Sequence, residues 1–392
     1  MKEAVIVAGA RTPVGKANRG SFAAVRSDDL GAATVKETLK RAKHIAAEEI
    51  DDVIIGCAMP EAEQGMNMAR NLSVLAGLPE TVPAVTINRY CASGLQSIAY
   101  GAERIMLGHS KAIIAGGAES MSMIPMGGHV IKPNPTLVDD APEYYMSMGF
   151  TAEAVAKQYD ISREDQDAFA AESHKRAAAA IAAGNFTDEI VPFTVKQEEM
   201  GEDGKVMLVE KTVDTDEGVR TDTTPLTLAK LKPAFQLGGT VTAGNASQMS
   251  DGAASVLVME KEEALNRGMA PLAKFRSFAV AGVPPEVMGI GPIEAIPKAV
   301  QLAGLSLADI GLFELNEAFA SQSLAIIRKL GLDHDKVNVN GGAIALGHPL
   351  GCTGAKLSLT LFNEMKRRGE QFGVVTMCIG GGMGAAGVFE LV

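Results

Sequence analysis

The sequence predicts an α/β protein made of two duplicated halves, with a third region inserted between them. Strand-like apolar runs alternate with helical patterns in both terminal thirds of the chain, which is typical of a wound sheet. The middle of the chain interrupts this alternation. A length of 392 residues also exceeds what one core normally holds, which favours two or three domains.

The two ends of the chain repeat one order of elements. "AVTINRYCASGLQS" and its continuation read as strand, tight turn, helix and strand, and "VNVNGGAIALGHPLGCTGA" begins the same series again. Cys91 and His348 are 257 positions apart (348 − 91), and so are Met59 and Asn316 (316 − 59). One offset shared by two separate pairs favours a duplication about a pseudo-twofold axis. Chance likeness among βα units is the alternative.

The inserted region contains a Pro/Gly-rich loop, an Ala-rich helix and polar, hairpin-like stretches. The helix is expected to begin at Ser162, with Asp165 three residues on as in a capping box, and to end near Gly184. The expected division of the chain is 1–120 with 240–268 as the N-terminal half, 121–239 as a loop domain, and 269–392 as the C-terminal half.

Composition excludes several classes of function. The net charge of −11 argues against a nucleic-acid partner, because phosphate binding draws on clustered Lys and Arg. The four cysteines form no C-x-x-C pair, which argues against a zinc ribbon or a disulfide framework. The start reads directly as a strand rather than a leader, and the uncharged stretch 371–389 is too rich in glycine for a membrane helix. We therefore expect a cytoplasmic protein with no membrane association.

Cys91 is the first candidate for chemistry. It lies between a predicted strand and a helix, where unpaired N–H groups and the helix dipole are expected to lower the pKa of a thiol. The small residues that follow it leave room for a substrate. An inert, buried cysteine is the competing interpretation.

Asn316 and His348 lie at similar strand-to-helix junctions. Asn316 is expected at the cap position after the strand "LFEL", where a plain N-cap would explain it equally well. His348 follows the predicted strand "KVNV" in a Gly/Pro-rich loop that no core packing requires. A lone histidine is more often structural, but presentation on a rigid loop favours function.

Cys378 ends the strand "VVTM" and is followed at once by glycines. Gly382, Gly384 and Gly387 match G-x-G-x-x-G, but no room remains for the helix and the acidic residue that a dinucleotide site needs. All four candidates then lie at the carboxyl ends of strands, where open α/β sheets bind ligands. The glycines are expected to present bare N–H groups to a reacting oxygen as an oxyanion hole, with Gly380 as the donor.

The motifs "NRYCASGLQS", "GNASQMSDGAA", "NEAFA", "GGAIALGHPLGCTGA" and "CIGGGMGAAGVFE" together resemble those of the thiolase family. The likeness covers nearly the whole chain in the order of the family. It implies a five-layered αβαβα fold of two similar halves plus a loop domain. It also implies acyl transfer to and from coenzyme A, with coenzyme A as a substrate and no permanently bound cofactor.

The resemblance also implies roles for individual residues. Cys91 matches the acyl-accepting nucleophile, Cys378 the acid/base, and His348 the group that activates Cys91 and contacts the thioester oxygen. Asn316 matches a residue that holds a water beside the histidine. Arg220 and Ser247 match residues that contact coenzyme A. Met148 and Phe319 match positions that line the acyl pocket.

Binding anionic coenzyme A to an acidic protein requires a local basic patch. "VRTDTTPLTLAKLKPAF" supplies Arg220, Lys230 and Lys232 against one acid, Asp222. A solvated surface segment is the alternative for the two lysines.

Two further functions compete with a degradative thiolase. A ketoacyl synthase would need a histidine in place of Cys378, which argues against it. A non-catalytic acyl-CoA-binding scaffold would be expected to have lost Cys91, His348 or Cys378, and none is lost. A biosynthetic acetoacetyl-CoA thiolase is the remaining alternative, but its His-Met-Gly motif reads "SMG" here, Ser147 to Gly149.

The expected substrate is a 3-ketoacyl-CoA of β-oxidation with more than four carbons. "MSMIPM" and "YYMSMGF" offer thioethers and aromatic rings that suit apolar chains, unless they simply fill the core of the loop domain. Arg89 and Gln96 of the nucleophile turn also look more like those of degradative members. The segment after "AESMSM" looks shorter than in tetrameric members, which favours a homodimer over a tetramer. Association with other β-oxidation enzymes is a further expected possibility.

Overall fold

A computed structural model describes residues 2–200 and 206–392 of the chain. The N-terminal part alternates strands with helices, as the sequence predicts. Its elements are β1 (Ala4–Arg11), β2 (Gly15–Lys16), α1 (Ser27–Ala42), β3 (Asp52–Gly56), α2 (Met68–Leu75), β4 (Ala84–Ile87), α3 (Ser93–Met106) and β5 (Ala112–Ser120).

The middle region is built differently. Its elements are α4 (Pro135–Asp140), α5 (Met148–Gln158), α6 (Arg163–Ala182), β6 (Phe193–Met200), β7 (Val206–Val213) and α7 (Pro225–Leu228). The Ala-rich helix α6 begins where expected, because the Ser162 side chain accepts a hydrogen bond from the N–H of Asp165. β6 and β7 pair antiparallel, as the hairpin-like sequence predicts, and the tip of that hairpin lies outside the described residues.

The C-terminal part returns to alternating strands and helices. Its elements are β8 (Ser250–Glu260), α8 (Lys261–Asn266), β9 (Ala273–Gly282), α9 (Gly291–Leu302), β10 (Leu312–Leu315), α10 (Ala320–Leu330), α11 (Ala343–Leu346), α12 (Leu350–Arg368), β11 (Phe372–Ile379) and β12 (Met383–Glu390). The predicted strand "KVNV" is wrong: only Val337 forms an isolated parallel bridge, to Phe313.

The strand order reveals the duplication. The strands run β10-β11-β12-β9-β1-β8-β5-β3-β4, and β1 meets β9 in only two residue pairs. On one side of this seam, β4-β3-β5 are parallel and β8 and β1 follow antiparallel. On the other side, β10-β11 are parallel and β12 and β9 follow antiparallel. The bridge at Val337 stands where β4 stands in the first half, so the predicted duplication is confirmed.

The helices and the two half-sheets form five layers. α1 and α2 cover the outer face of the N-terminal half-sheet, and α9 and α10 cover the outer face of the C-terminal one. α3 and α12 lie between the two half-sheets and pack against each other. Because α12 is enclosed by both half-sheets, nearly all of its side chains are buried. The αβαβα architecture expected from the sequence is therefore confirmed.

Glycines allow the two central helices to approach each other. A Cβ on Gly94 of α3 would lie 2.7 Å from the carbonyl oxygen of Gly351, and one on Gly354 of α12 would lie 2.7 Å from the Cβ of Leu95. Side chains at these positions would push α3 and α12 apart. Both helices begin beside the carboxyl ends of parallel strands, so their first turns meet at one place. That place carries Cys91 and His348.

Candidate active site

Cys91 lies in a short turn between β4 and α3. Tyr90 precedes it with φ of 44°, a left-handed conformation that costs a bulky residue energy. Two polar side chains hold this turn. Asn88 Oδ1 accepts the Tyr90 N–H at 2.8 Å, while the Ser93 hydroxyl accepts the Arg89 N–H at 2.8 Å and donates to the Tyr90 carbonyl at 2.7 Å. The thiol is therefore presented on a strained but well-supported turn.

The environment of the Cys91 thiol is more apolar than the sequence suggested. The residue is half-buried and packs against Ala58, Met121 and Leu350. Burial raises the pKa of Cys91 to about 12, while hydrogen bonds from the N–H groups of Gly380 and of Cys91 itself lower it. The expectation of a lowered thiol pKa is wrong for the resting protein, because desolvation outweighs the two N–H groups. The thiol therefore needs a base before it can attack.

His348 is held at the junction of α11 and α12. Its backbone N–H donates to the Ser250 hydroxyl at 3.1 Å and to the Gln248 carbonyl at 3.2 Å. Gly347 before it has φ of 92°, a conformation that favours glycine. The Gly/Pro-rich loop thus fixes the backbone of His348, as its composition indicated.

The imidazole of His348 has a defined tautomer. Its Nδ1 lies 2.6 Å from the Thr353 hydroxyl, which itself donates to the Pro349 carbonyl at 2.9 Å. Because the Thr353 hydroxyl proton already makes this hydrogen bond, the hydroxyl can only accept from the ring. The ring proton is therefore assigned to Nδ1. Nε2 is left as an acceptor, 3.2 Å from Asn316 Nδ2. Burial, with a smaller effect of the Lys356 charge, lowers the pKa of His348 to about 3, so the ring is neutral.

Asn316 follows β10 and is almost completely buried. Its N–H donates to the Thr376 carbonyl at 2.9 Å, which ties it to the neighbouring strand β11. The expectation that it caps a helix is wrong: Phe319 occupies the N-cap position of α10, and its N–H donates to Gln322 Oε1 at 3.0 Å. Among the described residues, Asn316 Oδ1 has no hydrogen-bond partner. A buried amide oxygen with free lone pairs suits a water molecule.

Cys378 is the penultimate residue of β11 and is completely buried. Burial raises the pKa of its thiol, and a charge on nearby Cys91 raises it further. The glycines after it make a hairpin turn, with φ of 79° at Gly381 and 83° at Gly382, and β12 follows. A strand rather than a helix therefore follows these glycines, which agrees with the rejection of a dinucleotide motif.

Gly380 lies beside Cys91, to whose sulfur its N–H donates, and follows Cys378 by two residues. A Cβ on this residue would lie 3.7 Å from Met148 Sδ and 3.9 Å from Tyr90 Cδ2. Met148 and Phe319 pack with Cys378 in one apolar cluster. The phenyl ring of Phe319 also meets that of Phe235 edge-on at 6.2 Å. Apolar side chains thus surround the polar groups, an arrangement common in small-molecule sites.

The residues matched to coenzyme A contacts lie further out. Ser247 is half-buried, and its N–H donates to the carbonyl of Ala318, the neighbour of Phe319, at 2.9 Å. Arg220, Lys230 and Lys232 are exposed. The structure thus brings Ser247 to the edge of the cluster and leaves the three basic side chains at the surface.

The sequence predicts no role for Thr353, which contacts this site. Thr353 was read only as part of the glycine-rich motif, although its hydroxyl sets the tautomer of His348. The sequence contains one indication of this contact. Thr353 is five positions after His348 and lies in the first turn of the helix that follows it. The direction of that hydroxyl was not readable without the fold.

The arrangement can perform covalent catalysis with two thiols. A neutral imidazole can accept a proton at Nε2, and the turn that carries Cys91 packs against the first turn of α12, just after His348. N–H groups converge on the sulfur of Cys91, and a second thiol lies nearby. Within the described residues, no group of His, Cys, Asp and Glu side chains suits a metal ion, and no helix is long and apolar enough to cross a membrane.

Comparison with protein families gives two matches that together span most of the chain. The model of the thiolase N-terminal domain matches residues 4–262, and that of the thiolase C-terminal domain matches residues 269–391. The chain is 70% identical over 391 residues to a 3-ketoacyl-CoA thiolase of Bacillus subtilis (strain 168), with all of both chains covered. It is 48% identical to a 3-ketoacyl-CoA thiolase of Yersinia pestis (strain Pestoides F), again with both chains covered in full.

Solved structures give the same picture. A Bacillus anthracis acetyl-CoA acetyltransferase superposes with a TM-score of 0.90 at 40% identity, covering 100% of this chain and 99% of that one. A human mitochondrial 3-ketoacyl-CoA thiolase superposes with a TM-score of 0.89 at 38% identity, with the same coverage.

Proposed function

The chain belongs to the thiolase family, and we propose that it is a 3-ketoacyl-CoA thiolase, an acetyl-CoA C-acyltransferase that cleaves 3-ketoacyl-CoA with coenzyme A. The observation that carries this proposal is that the Gly380 N–H and Cys378 lie beside Cys91, which also packs against Leu350, two residues after His348. The His348 ring in turn faces Asn316. Two relatives with full coverage carry the same name. The test is thiolysis of a 3-ketoacyl-CoA by the purified protein.

The first half-reaction forms an acyl-enzyme. His348 Nε2 takes the proton of Cys91, and the thiolate attacks the keto carbon of the substrate. The bond between C2 and C3 breaks, and its electron pair leaves on acetyl-CoA as an enolate. Cys378 protonates that carbon, so acetyl-CoA departs and a shortened acyl group stays on the Cys91 sulfur.

The second half-reaction releases the acyl group. The Cys378 thiolate takes the thiol proton of an incoming coenzyme A, and the resulting thiolate attacks the acyl carbon. The Cys91 sulfur leaves and recovers its proton from His348, so all protons balance. The N–H groups of Gly380 and Cys91, which already converge on the sulfur, serve as the oxyanion hole for the oxygen of the carbonyl that Cys91 attacks. His348 and a water held by Asn316 serve the thioester oxygen of the acetyl-CoA enolate.

Substrate binding uses the outer part of the site. Ser247 and Arg220 contact coenzyme A, and Lys230 and Lys232 add positive charge at the surface. Met148 and Phe319 line the acyl pocket, which their packing around Cys378 supports. Coenzyme A is a substrate in this scheme, and no cofactor stays bound between turnovers.

The degradative direction, as part of β-oxidation, is favoured over biosynthesis of acetoacetyl-CoA. The superposed Bacillus anthracis structure is named an acetyl-CoA acetyltransferase, so fold similarity alone does not choose. In the proposed pocket, Met148 packs with Cys378 and offers a flexible apolar contact to a longer chain. Each additional buried methylene contributes roughly 0.8 kcal/mol.

The specificity constant for 3-ketooctanoyl-CoA should therefore exceed that for acetoacetyl-CoA. A strong preference for the four-carbon substrate would instead make the protein an acetoacetyl-CoA thiolase. Failure of the pure protein to consume acetoacetyl-CoA enolate in the presence of coenzyme A would favour an acyl-CoA-binding scaffold.

We also propose that the protein is a homodimer joined at β4. This strand is at the end of the sheet, and its Val85 side chain is exposed. Beside it, Met66 is 98% exposed in a left-handed conformation, on a loop that Asn67 ties to Ala84. An edge strand flanked by exposed apolar side chains is a ready site for pairing with a second copy.

Light scattering of Met66→Lys and Val85→Lys tests this interface. Both variants should shift the protein towards monomer, whereas Leu302→Lys, at an exposed position on α9, should not. A clean tetramer in the wild type would contradict the homodimer.

Three remaining assignments complete the proposal. The protein acts in the cytoplasm, and it associates with other β-oxidation enzymes. The chain divides into 1–120 with 240–268, a coenzyme A-binding loop domain at 121–239, and 269–392. Cell fractionation, co-purification at low salt and limited proteolysis test these three in turn.

A further inference from the structure

A buried carboxylate with no part in the proposed chemistry lies next to the catalytic residues. Glu119 is the penultimate residue of β5, at the carboxyl end of that strand, and is 1% exposed. Its charge is felt at Cys91, whose thiol pKa it raises. A buried carboxylate is costly to keep in a fold, so its contacts call for an explanation.

Four N–H groups donate to the Glu119 carboxylate. Oε2 accepts the N–H of Ala58 at 2.7 Å and the N–H of Gly351 at 2.8 Å. Oε1 accepts Gln64 Nε2 at 2.7 Å and the N–H of Met59 at 3.2 Å. Burial raises the pKa of Glu119 overall, although these four hydrogen bonds act in the opposite direction. Since every one of these neighbours donates, the group fits its ionised form.

These donors belong to both halves of the molecule. Gly351 is in the first turn of α12, three residues after His348, where a negative charge also suits the helix dipole. Ala58 is in the loop after β3, and its carbonyl accepts Asn88 Nδ2 at 3.0 Å. Asn88 in turn holds the Tyr90 N–H, next to Cys91. One carboxylate therefore links the nucleophile turn to the start of the helix that follows the catalytic base.

We propose that Glu119 is a positioning residue that fixes the Cys91 turn relative to the His348 loop across the interface of the two halves. The proposal rests on the thiolase function proposed above. Glu119 does not touch the reacting atoms; it acts through the backbone of Ala58 and Gly351. A close approach supports this role, because a Cβ on Gly351 would lie 2.8 Å from both Cys57 Cα and the Gly56 carbonyl oxygen.

Glu119→Gln separates this role from simple structural support. A glutamine side chain has one acceptor oxygen, so its amide nitrogen must face two of the four donors. Misplacement of catalytic groups by about 1 Å costs on the order of 100-fold, so kcat for thiolysis should fall by that factor while KM for coenzyme A stays unchanged. Removing the negative charge should at the same time make the Cys91 thiolate easier to form.

The second measurement is the pH dependence of Cys91 alkylation by iodoacetamide, followed by peptide mass spectrometry. The titratable groups nearest this thiol are Glu119 and Cys378, with His348 two residues before Leu350, which packs against Cys91. Cys57 also faces Glu119, and its thiol donates to Oε1 at 3.6 Å. In Glu119→Gln the midpoint should move to lower pH, because a nearby negative charge disfavours a thiolate. General loosening of the fold would also hydrate this thiol and lower the midpoint, so only comparison with a variant that keeps the charge isolates the effect of Glu119.

Two further variants complete the design. Glu119→Asp keeps the charge but is one methylene shorter, so kcat should fall with no change in the alkylation midpoint. Glu364→Gln is the control: this carboxylate is also buried, on α12, and accepts Asn340 Nδ2 at 2.8 Å. It lies 13 residues beyond Gly351, about 20 Å along the helix, and its substitution should change neither readout.

The outcomes are separable. Wild-type kcat in folded Glu119→Gln, or an alkylation midpoint that stays in place or rises, overturns the role of Glu119. If Glu119→Gln does not fold, Glu119→Asp decides, and wild-type kcat in that variant overturns it. An inactive wild type would refute the thiolase function instead, and the alkylation measurement would still test the coupling of Glu119 to Cys91.

Discussion

The two halves of the molecule share one topology and use it for different chemistry. Cys91 precedes α3 in the first half, and His348, 257 positions later, precedes α12 in the second (348 − 91). The central strands of the two half-sheets, β5 and β11, differ as well. The penultimate residue of β5 is Glu119, whereas that of β11 is Cys378. Duplication therefore supplied two equivalent central helices, and the residues before them differ, with a strand before Cys91 and the short helix α11 before His348.

The difference also lies in what each turn demands of its surroundings. In the proposed mechanism the Cys91 turn needs a base and N–H donors, and the second half would offer both in His348 and Gly380. The His348 turn needs only a fixed tautomer, which Thr353 supplies locally. The N-terminal half thus depends on the C-terminal half for its reactivity, and the two half-sheets must be held in register.

The largest expected effect is that of Cys91→Ala. No other thiol is on the nucleophile turn, so acyl-enzyme formation from a labelled 3-ketoacyl-CoA should fall by at least about 10⁴-fold. Peptide mass spectrometry would locate the label, with Cys352→Ala as a control that keeps it. A labelled acyl group on Cys352 or Cys378 of the wild type would reverse the roles of the two halves.

Cys378→Ala should separate the two half-reactions. This variant should still accept an acyl group from a simple acyl-CoA, since Cys91 and His348 are untouched. Cleavage of the carbon–carbon bond needs the proton of Cys378, so it should slow by about 10²- to 10⁴-fold. Stopped-flow assays of both half-reactions check this. An equal loss in both would show that Cys378 also assists the nucleophile.

Thr353→Val tests the local support of His348. Without the hydroxyl at 2.6 Å, the imidazole can move its proton to Nε2 and lose its basic nitrogen on the side of Asn316. We expect kcat to fall by about 10- to 100-fold, the same range as when the hydrogen-bond partner of a metal-bound imidazole is removed. Thr353→Ser, which restores the hydroxyl, is the matched control. If Thr353→Val turned over as fast as wild type, the tautomer assignment would be wrong.

Gly380→Ala should have the smallest effect. The proposed oxyanion contact uses the N–H, which alanine keeps, and the new methyl group meets Met148 Sδ at an ordinary 3.7 Å. The cost should stay below about 1.4 kcal/mol, less than tenfold in kcat/KM. Steady-state kinetics with short and longer 3-ketoacyl-CoA substrates measure it. A larger loss confined to longer chains would mean that the methyl group narrows the acyl pocket.

The sequence by itself determined the main features of the protein. Alternating strand and helix patterns, the offset of 257 and the motifs around Cys91, His348 and Cys378 were enough to predict the duplicated fold and the thiolase family. They were also enough to place Asn316 after a strand. These features are local, because periodicity and turn residues within a short segment specify its backbone.

Only the tertiary structure decided how these residues behave. Burial by segments from both halves reversed the expected direction of the Cys91 pKa, and Phe319 rather than Asn316 took the cap position of α10. The hydrogen bond between Glu119 and Gly351 joins residues 232 positions apart, and no local sequence pattern predicts it. Desolvation and long-range contacts sum over residues that are distant in the chain, so they exist only once the two halves have packed together.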